Sequence, residues 1–148
     1  LELNEFEAKD FAKYHPGGSL GKMLFQTTKD LITSHPPPVV DLMDSVKKVI
    51  TEITSKRLGA TAVVNKNKII GIITDGDIRR MLETYESINK LIASEIMTKN
   101  PVKIKHDILA TDAIKLMNNK NINHLIVTEN SIFIGIINIL DFTKEGIS

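Results

Sequence analysis

Residues 74–80 read Thr-Asp-Gly-Asp-Ile-Arg-Arg, which sets a hydroxyl, two carboxylates and two guanidinium groups around a single glycine. Asp75 and Asp77 supply acceptors, Arg79 and Arg80 supply planar donor forks suited to phosphate, and Gly76 keeps side-chain bulk out of the turn. If the stretch opens a helix, its first backbone N–H groups join the arginines in holding an anion. The same residues also have a plainer use, because Asp is a common helix cap and paired arginines often form a solvated face. Asp141 lies 64 positions after Asp77, in Asn-Ile-Leu-Asp-Phe-Thr-Lys at 138–144, with Asn138 where the first stretch has Thr74 and Leu140 where it has Gly76. His124 falls opposite Ala60 in the same alignment, and it could reach a phosphate or pack beside a sheet.

Those residues need elements to hold them, and the 64-residue offset supplies the pattern. Without a gap it aligns 37–77 with 101–141, and identities fall at Pro37/Pro101, Ile50/Ile114, Val63/Val127, Gly71/Gly135, Ile73/Ile137 and Asp77/Asp141 among others. In the first copy Val46, Val49, Ile50 and Ile53 stand at i, i+3, i+4 and i+7, and in the second Ala110, Ala113, Ile114 and Met117 do the same. Each set predicts one buried helical stripe. Short β-branched runs follow at 60–64 and 124–128, then polar turns, then Ile-Ile-Gly-Ile-Ile or Phe-Ile-Gly-Ile-Ile, which predicts a hairpin of two buried strands. The glycine inside each second strand leaves room for a close approach by backbone or ligand. A further helix is expected to start at Asp77 or Asp141, with Ile78, Met81 and Leu82 as the apolar face in the first copy. Each copy is thus strand, helix, strand, strand, helix, too small to bury its apolar surface well alone. Two in one chain most simply pack sheet against sheet about a pseudo-twofold axis. Residues 91–101 join them, with Ser94 as expected N-cap of a short helical turn, and the related segment 29–38 carries three prolines as a stiff spacer.

Composition narrows the classes of function. The chain has 148 residues, 42% hydrophobic and 25% charged, as an ordinary globular protein does. Nineteen basic and eighteen acidic residues leave a formal charge of +1, so no global field recruits nucleic acid or an anionic membrane. The longest apolar stretch, 69–73, is far too short to cross a bilayer, and no signal-peptide pattern opens the chain. With no cysteine there is no disulfide, thiolate metal site or cysteine nucleophile, and the four histidines, His15, His35, His106 and His124, match no metal-ligand spacing. The chain opens in mid-pattern without an initiator methionine, as a piece of something longer would.

The unit formed by a hydrophobic strand, Gly-Ile-Ile-Thr-x-x-Asp and a short helix, preceded by Met-Thr-x-x-Pro, resembles a CBS domain, and the tandem resembles a CBS pair over roughly 30–147. The resemblance implies an α+β fold of two β-α-β-β-α repeats with two clefts that bind nucleotides, most often adenosine derivatives. It places Thr74 and Asp77 against a ribose, and Asn138 and Asp141 at the second cleft. A carboxylate at a helix start can accept both vicinal hydroxyls, each charge-assisted bond contributing about 1.5–3 kcal/mol. Arg79, Arg80 and His124 join these residues as candidate ligand contacts, and no cofactor or metal is implied.

The leading segment 7–24 is similar to the stretch that joins the sugar isomerase (SIS) domain to the CBS pair in D-arabinose 5-phosphate isomerases. Asp10, Phe11, Ala12, His15, Pro16, Gly17, Gly18, Leu20 and Gly21 carry that likeness. It implies residues 1–28 as the edge of an SIS domain, 29–90 as the first CBS domain and 91–148 as the second. Such enzymes interconvert ribulose 5-phosphate and arabinose 5-phosphate at the entry to 3-deoxy-D-manno-octulosonate (Kdo), a sugar of bacterial lipopolysaccharide and capsule. They are cytoplasmic and usually tetrameric, so CBS pairs would meet as homodimers and the SIS domain would be the partner of this pair. His15 matches a histidine that reaches the active site in that family. Since most catalytic groups belong to the SIS domain, this chain by itself is expected to lack isomerase activity.

Two functions follow from the resemblance. One is a regulatory pair that senses a nucleotide-bearing effector, with CMP-Kdo as the logical feedback ligand and AMP or ATP as the family default. The other is an assembly module with empty clefts, favoured by Asn138 and Leu140 in the second motif.

Overall fold

The computed structural model describes residues 24–144, with side chains through Phe142. A short 3-10 turn, Lys29–Leu31, leads into the first copy: β1 (Val39–Asp41), α1 (Val46–Lys56), β2 (Ala60–Asn65), β3 (Lys68–Thr74) and α2 (Asp75–Thr84). Then come α3 (Ala93–Ile96) and β4 (Thr98–Lys99). The second copy is β5 (Lys103–Lys105), α4 (Ala110–Lys120), β6 (His124–Glu129), β7 (Ile132–Asn138) and α5 (Ile139–Lys144).

The two copies repeat each other down to the backbone. Val40 pairs parallel with Val63 and Val63 antiparallel with Gly71, as Ile104 does with Val127 and Val127 with Gly135. Each β-hairpin shifts register after its Val63 or Val127. Both turns hold two residues at positive φ, Lys66 and Asn67 at 52° and 67°, Asn130 and Ser131 at 51° and 66°, the geometry that matches right-handed strand twist in a two-residue hairpin. The helix preceding each hairpin ends on a left-handed residue, Arg57 or Asn121.

Several boundaries differ from the sequence expectation. The second helices begin at Asp75 and Ile139, two residues early, and for α2 the reason is that Thr74 takes the capping position itself. Ser94 lies inside α3, whose first free N–H, on Ile92, is satisfied by the Glu95 carboxylate at 3.0 Å. Leu82 is 59% exposed and Ile50 39%, so the apolar stripes of α2 and α1 are narrower than expected, whereas all four stripe residues of α4 are buried.

What precedes each copy packs on the other. Leu31 and Ile32 enter the core of the second copy beside Ala113, Met117, Leu125 and Phe142, and the Thr28 hydroxyl donates to the Lys105 carbonyl at 2.6 Å. Reciprocally, Ala93 and Ile96 enter the first core beside Val49, Val63, Ile73 and Met81, and β4 adds to the first sheet through β3. The strand glycines make this possible. A methyl built on Gly71 would come within 2.9 Å of Met97 Cγ, and one on Gly135 within 2.7 Å of Ile32 Cγ2, so protein side chains fill the space that these glycines leave. Between the sheets, Leu58, Ala60, Ala62 and Ile72 meet Ile126 and Ile136 in a third, shared core. Ala60 and Ala62 are wholly buried, and their small side chains let the sheets approach closely.

Candidate functional site

At the end of β3, Thr74 is extended at φ −108°, ψ 172°, and its hydroxyl oxygen accepts the Asp77 N–H at 3.3 Å. Asp77 Oδ2 returns the bond, accepting the Thr74 N–H at 2.9 Å and its hydroxyl at 3.2 Å. This reciprocal box satisfies two of the donors that a helix start leaves free. Asp77 Oδ1 accepts the Thr98 hydroxyl of β4 at 2.9 Å and an Nη2–H of Arg80. The carboxylate is only 5% exposed, while Arg80, one turn along, is 66% exposed.

In front of this network lies an open cleft of about 690 Å³. One wall comes from the first copy, through residues 74–76, Arg79 and Arg80 with Thr98 beside them; the other comes from residues 100–102, 121–124 and 138–140. The wall of the second copy is tied across the axis. His124 Nε2 lies 2.9 Å from the Leu58 carbonyl, and Asn138 Nδ2 donates to the same oxygen at 2.9 Å. The same His124 Nε2 lies 3.2 Å from Asn138 Nδ2, so one ring nitrogen faces both an acceptor and a donor. Burial lowers the His124 pKa, opposed by the Leu58 carbonyl and by the charges of Asp75, Asp141 and Asp77, so the ring is neutral near pH 7. Asn138 Oδ1 meanwhile accepts the Leu140 N–H at 2.9 Å.

Of the candidate residues, the fold brings Thr74, Arg79, Arg80, His124 and Asn138 together in one cleft, so Asn138 faces Thr74 rather than a second cleft of its own, because the two copies meet with the ends of β3 and β7 on the same side. Asp77 and Asp141 sit buried behind it, Asp141 Oδ2 accepting the Asn138 N–H at 2.9 Å. His15 lies outside the described residues. Asp75, an acceptor of the turn in the sequence, also lines the cleft, together with Thr98 and the loop 121–123, which no motif marks as ligand contacts. Thr98 had a signal, the Met-Thr of the linker pattern, but the loop is polar without periodicity and only the fold carries it to the cleft. Chemically, the first wall offers guanidinium donors to an anion beside the Asp75 carboxylate, the Thr74 and Thr98 protons being already given to Asp77, and the second offers amide and imidazole groups to a polar ring or sugar. Among the described residues no group of three or more His, Cys, Asp and Glu is placed to hold a metal ion, and no helix is long and apolar enough to cross a membrane.

The family model of the CBS domain matches residues 29–84 and again 93–147. The chain belongs to the CBS domain family. As a tandem CBS pair it is 40% identical over 148 residues to an uncharacterized protein of Rickettsia prowazekii, covering 99% of this chain and 46% of that protein. It is 34% identical over 149 residues to the arabinose 5-phosphate isomerase KdsD of Salmonella typhi, covering 99% and 45%. The pair therefore spans a little under half the length of both relatives. Among solved structures, the CBS domain protein NE2398 superposes with a TM-score of 0.74 at 25% identity, covering 83% of this chain and 98% of that one. A CBS domain protein of Pyrobaculum aerophilum, solved in complex with AMP, superposes at 0.69 with 21% identity over 78% and 89%.

Proposed function

We propose that this CBS pair is the regulatory half of an arabinose 5-phosphate isomerase, sensing a nucleotide-bearing effector in the cleft between its two copies and biasing an attached SIS domain. The observation that carries the reading is the cleft itself: two guanidinium groups and the start of α2 on one wall, beside the Asp75 carboxylate and two threonine hydroxyls that keep only acceptor lone pairs, with an imidazole and an amide opposite. A monoanion or dianion on the first wall and a sugar or base on the second fit that division of donors. The likeness to KdsD over 99% of the chain supports the isomerase context, and the AMP complex of a protein with the same fold makes AMP the first probe. CMP-Kdo, or ATP, is the alternative effector. On this reading residues 1–28 border the SIS domain, His15 belongs to its active site, and 29–90 and 91–148 are the two CBS units. Coupling of about 1–3 kcal/mol between cleft and active site is all that regulation requires.

Thermal unfolding with AMP, ATP, CMP and CMP-Kdo tests it. Ligand at about 100 times its Kd stabilises by roughly 2.7 kcal/mol, a midpoint rise of about 5–10 °C for a chain of this size. A rise with CMP-Kdo alone identifies feedback, and a rise with adenine nucleotides identifies energy sensing. No rise with any of them leaves the assembly module, which the exposed Leu82, Ile132 and Leu140 favour.

A further inference from the structure

Asp75 and Arg79 stand one turn apart on α2, and both line the cleft, yet neither side chain makes a hydrogen bond or ion pair with any described residue. The Asp75 N–H donates to the Gly59 carbonyl at 3.1 Å, which sets its carboxylate over Gly59. A methyl built on Gly59 would lie 3.1 Å from Asp75 Oδ2, 3.5 Å from His124 Nε2 and 3.7 Å from Asn138 Nδ2. The starts of α2 and β6 and the end of β7 thus converge on one point where the two copies meet, and Gly59, at φ +72°, leaves it clear. His124 Nε2 and Asn138 Nδ2 are tied to the Leu58 carbonyl, so the lone pairs open to a ligand there are those of Asp75. A ligand that covers this carboxylate takes water from it and must replace the lost hydrogen bonds. A hydroxyl brings the donor required, whereas a phosphate brings a like charge at contact distance.

We propose that the space over Gly59 is a second subsite of the cleft, in which Asp75 accepts a hydroxyl of a sugar-like group carried on the ligand's phosphate and excludes a further phosphate from that place. The phosphate itself belongs with the Arg79 and Arg80 guanidinium groups. Side chains at i and i+4 of a helix stand about 5–6 Å apart at Cβ, a span that a phosphate ester and a nearby hydroxyl of the group it carries can bridge. A hydroxyl suits the point better than an ammonium group, because it donates to Asp75 while its own oxygen faces the imidazole and amide nitrogens. The ligand class is therefore a nucleotide esterified to a sugar or polyol rather than a nucleoside triphosphate. The base rests on the nucleotide reading above; the pairing of phosphate with hydroxyl does not.

Calorimetry on the whole chain compares ATP with ADP-glucose, which carry a terminal phosphate and a terminal sugar on the same nucleoside diphosphate, with AMP as reference. CTP, CDP-glucose and CMP form the matching cytosine series. In at least one series the wild type should bind the sugar nucleotide about tenfold tighter than the triphosphate. Asp75→Asn removes the charge and should tighten the triphosphate about tenfold, and Asp75→Ala removes the acceptor and should weaken the sugar nucleotide by a similar factor. Both variants keep the backbone bond to Gly59, and the monophosphate should change by less than about threefold in either. Where nucleotides bind, failure of the wild type to prefer the sugar in either series overturns the proposal. Equal losses of all three ligands in Asp75→Ala overturn it too, since they would mark a structural role. Glucose 6-phosphate against inorganic phosphate separates this inference from the nucleotide reading. If no nucleotide binds, but glucose 6-phosphate binds tighter than phosphate and loses that margin in Asp75→Ala, the subsite stands and the nucleotide reading falls. If no probe binds the wild type, both fall.

Discussion

His124 replaces the Ala60 of the first copy, and that single difference puts a titratable ring against the Leu58 carbonyl at the axis. Burial is the largest influence on the ring and lowers its pKa below the ordinary 6.5. In the folded chain the imidazole therefore resists a proton that the unfolded chain accepts. Between the two pKa values the unfolded state binds more protons, so stability rises with pH there. The contribution is complete above the unfolded value near 6.5 and is lost as pH falls below it toward the lower folded value. Urea unfolding at pH 7.5 and 5.5 should show the wild type weakened by acid, and His124→Gln should remove part of that slope. An identical slope in both would mean that other groups carry it. The residue types of the cleft were legible in the sequence, and Thr74, Arg79, Arg80, His124 and Asn138 do line it. What the sequence could not separate was an Asp that faces a ligand from one that closes a capping box, since both stand at a helix start.

At the scale of elements, the strand glycines decide how the two copies grip each other. Ile32 lies over Gly135 and Met97 over Gly71, in each case a side chain from the segment that precedes the opposite copy. Gly135→Ala is expected to destabilise by about 1–3 kcal/mol, because Ile32 must leave its place or the strand must shift. Combined with Ile32→Ala it should cost clearly less than the sum of the two single changes, since the second substitution makes room for the first. Strict additivity in urea unfolding would mean that the two do not meet. The strands and helices of each copy could be read from periods of two and of three to four residues, repeated after 64 positions. The exchange of leading segments could not, because β4 is two residues long and Lys29–Leu31 a single turn. Such short pieces carry no periodicity, and only their partners fix them.

For the molecule as a whole, this exchange makes two small copies into one cooperative body. Neither lobe has a complete core without residues contributed by the segment preceding the other, and Ile126 and Ile136 share a third core with Ala60 and Ala62. Opening one sheet exposes the inner face of the second and frees the segment that fills its core. Native-state amide exchange should accordingly give the hairpins β2–β3 and β6–β7 the same opening free energy. Ile126→Ala removes a wholly buried side chain from the shared core and should cost about 2–5 kcal/mol, lowering protection in both hairpins together. Protection lost in β6–β7 alone would show that the lobes open independently. On the proposed reading the cooperative result bears directly on function: a ligand held by walls from both copies would stabilise the whole pair, so its binding energy would be available wherever the leading segment meets the second lobe.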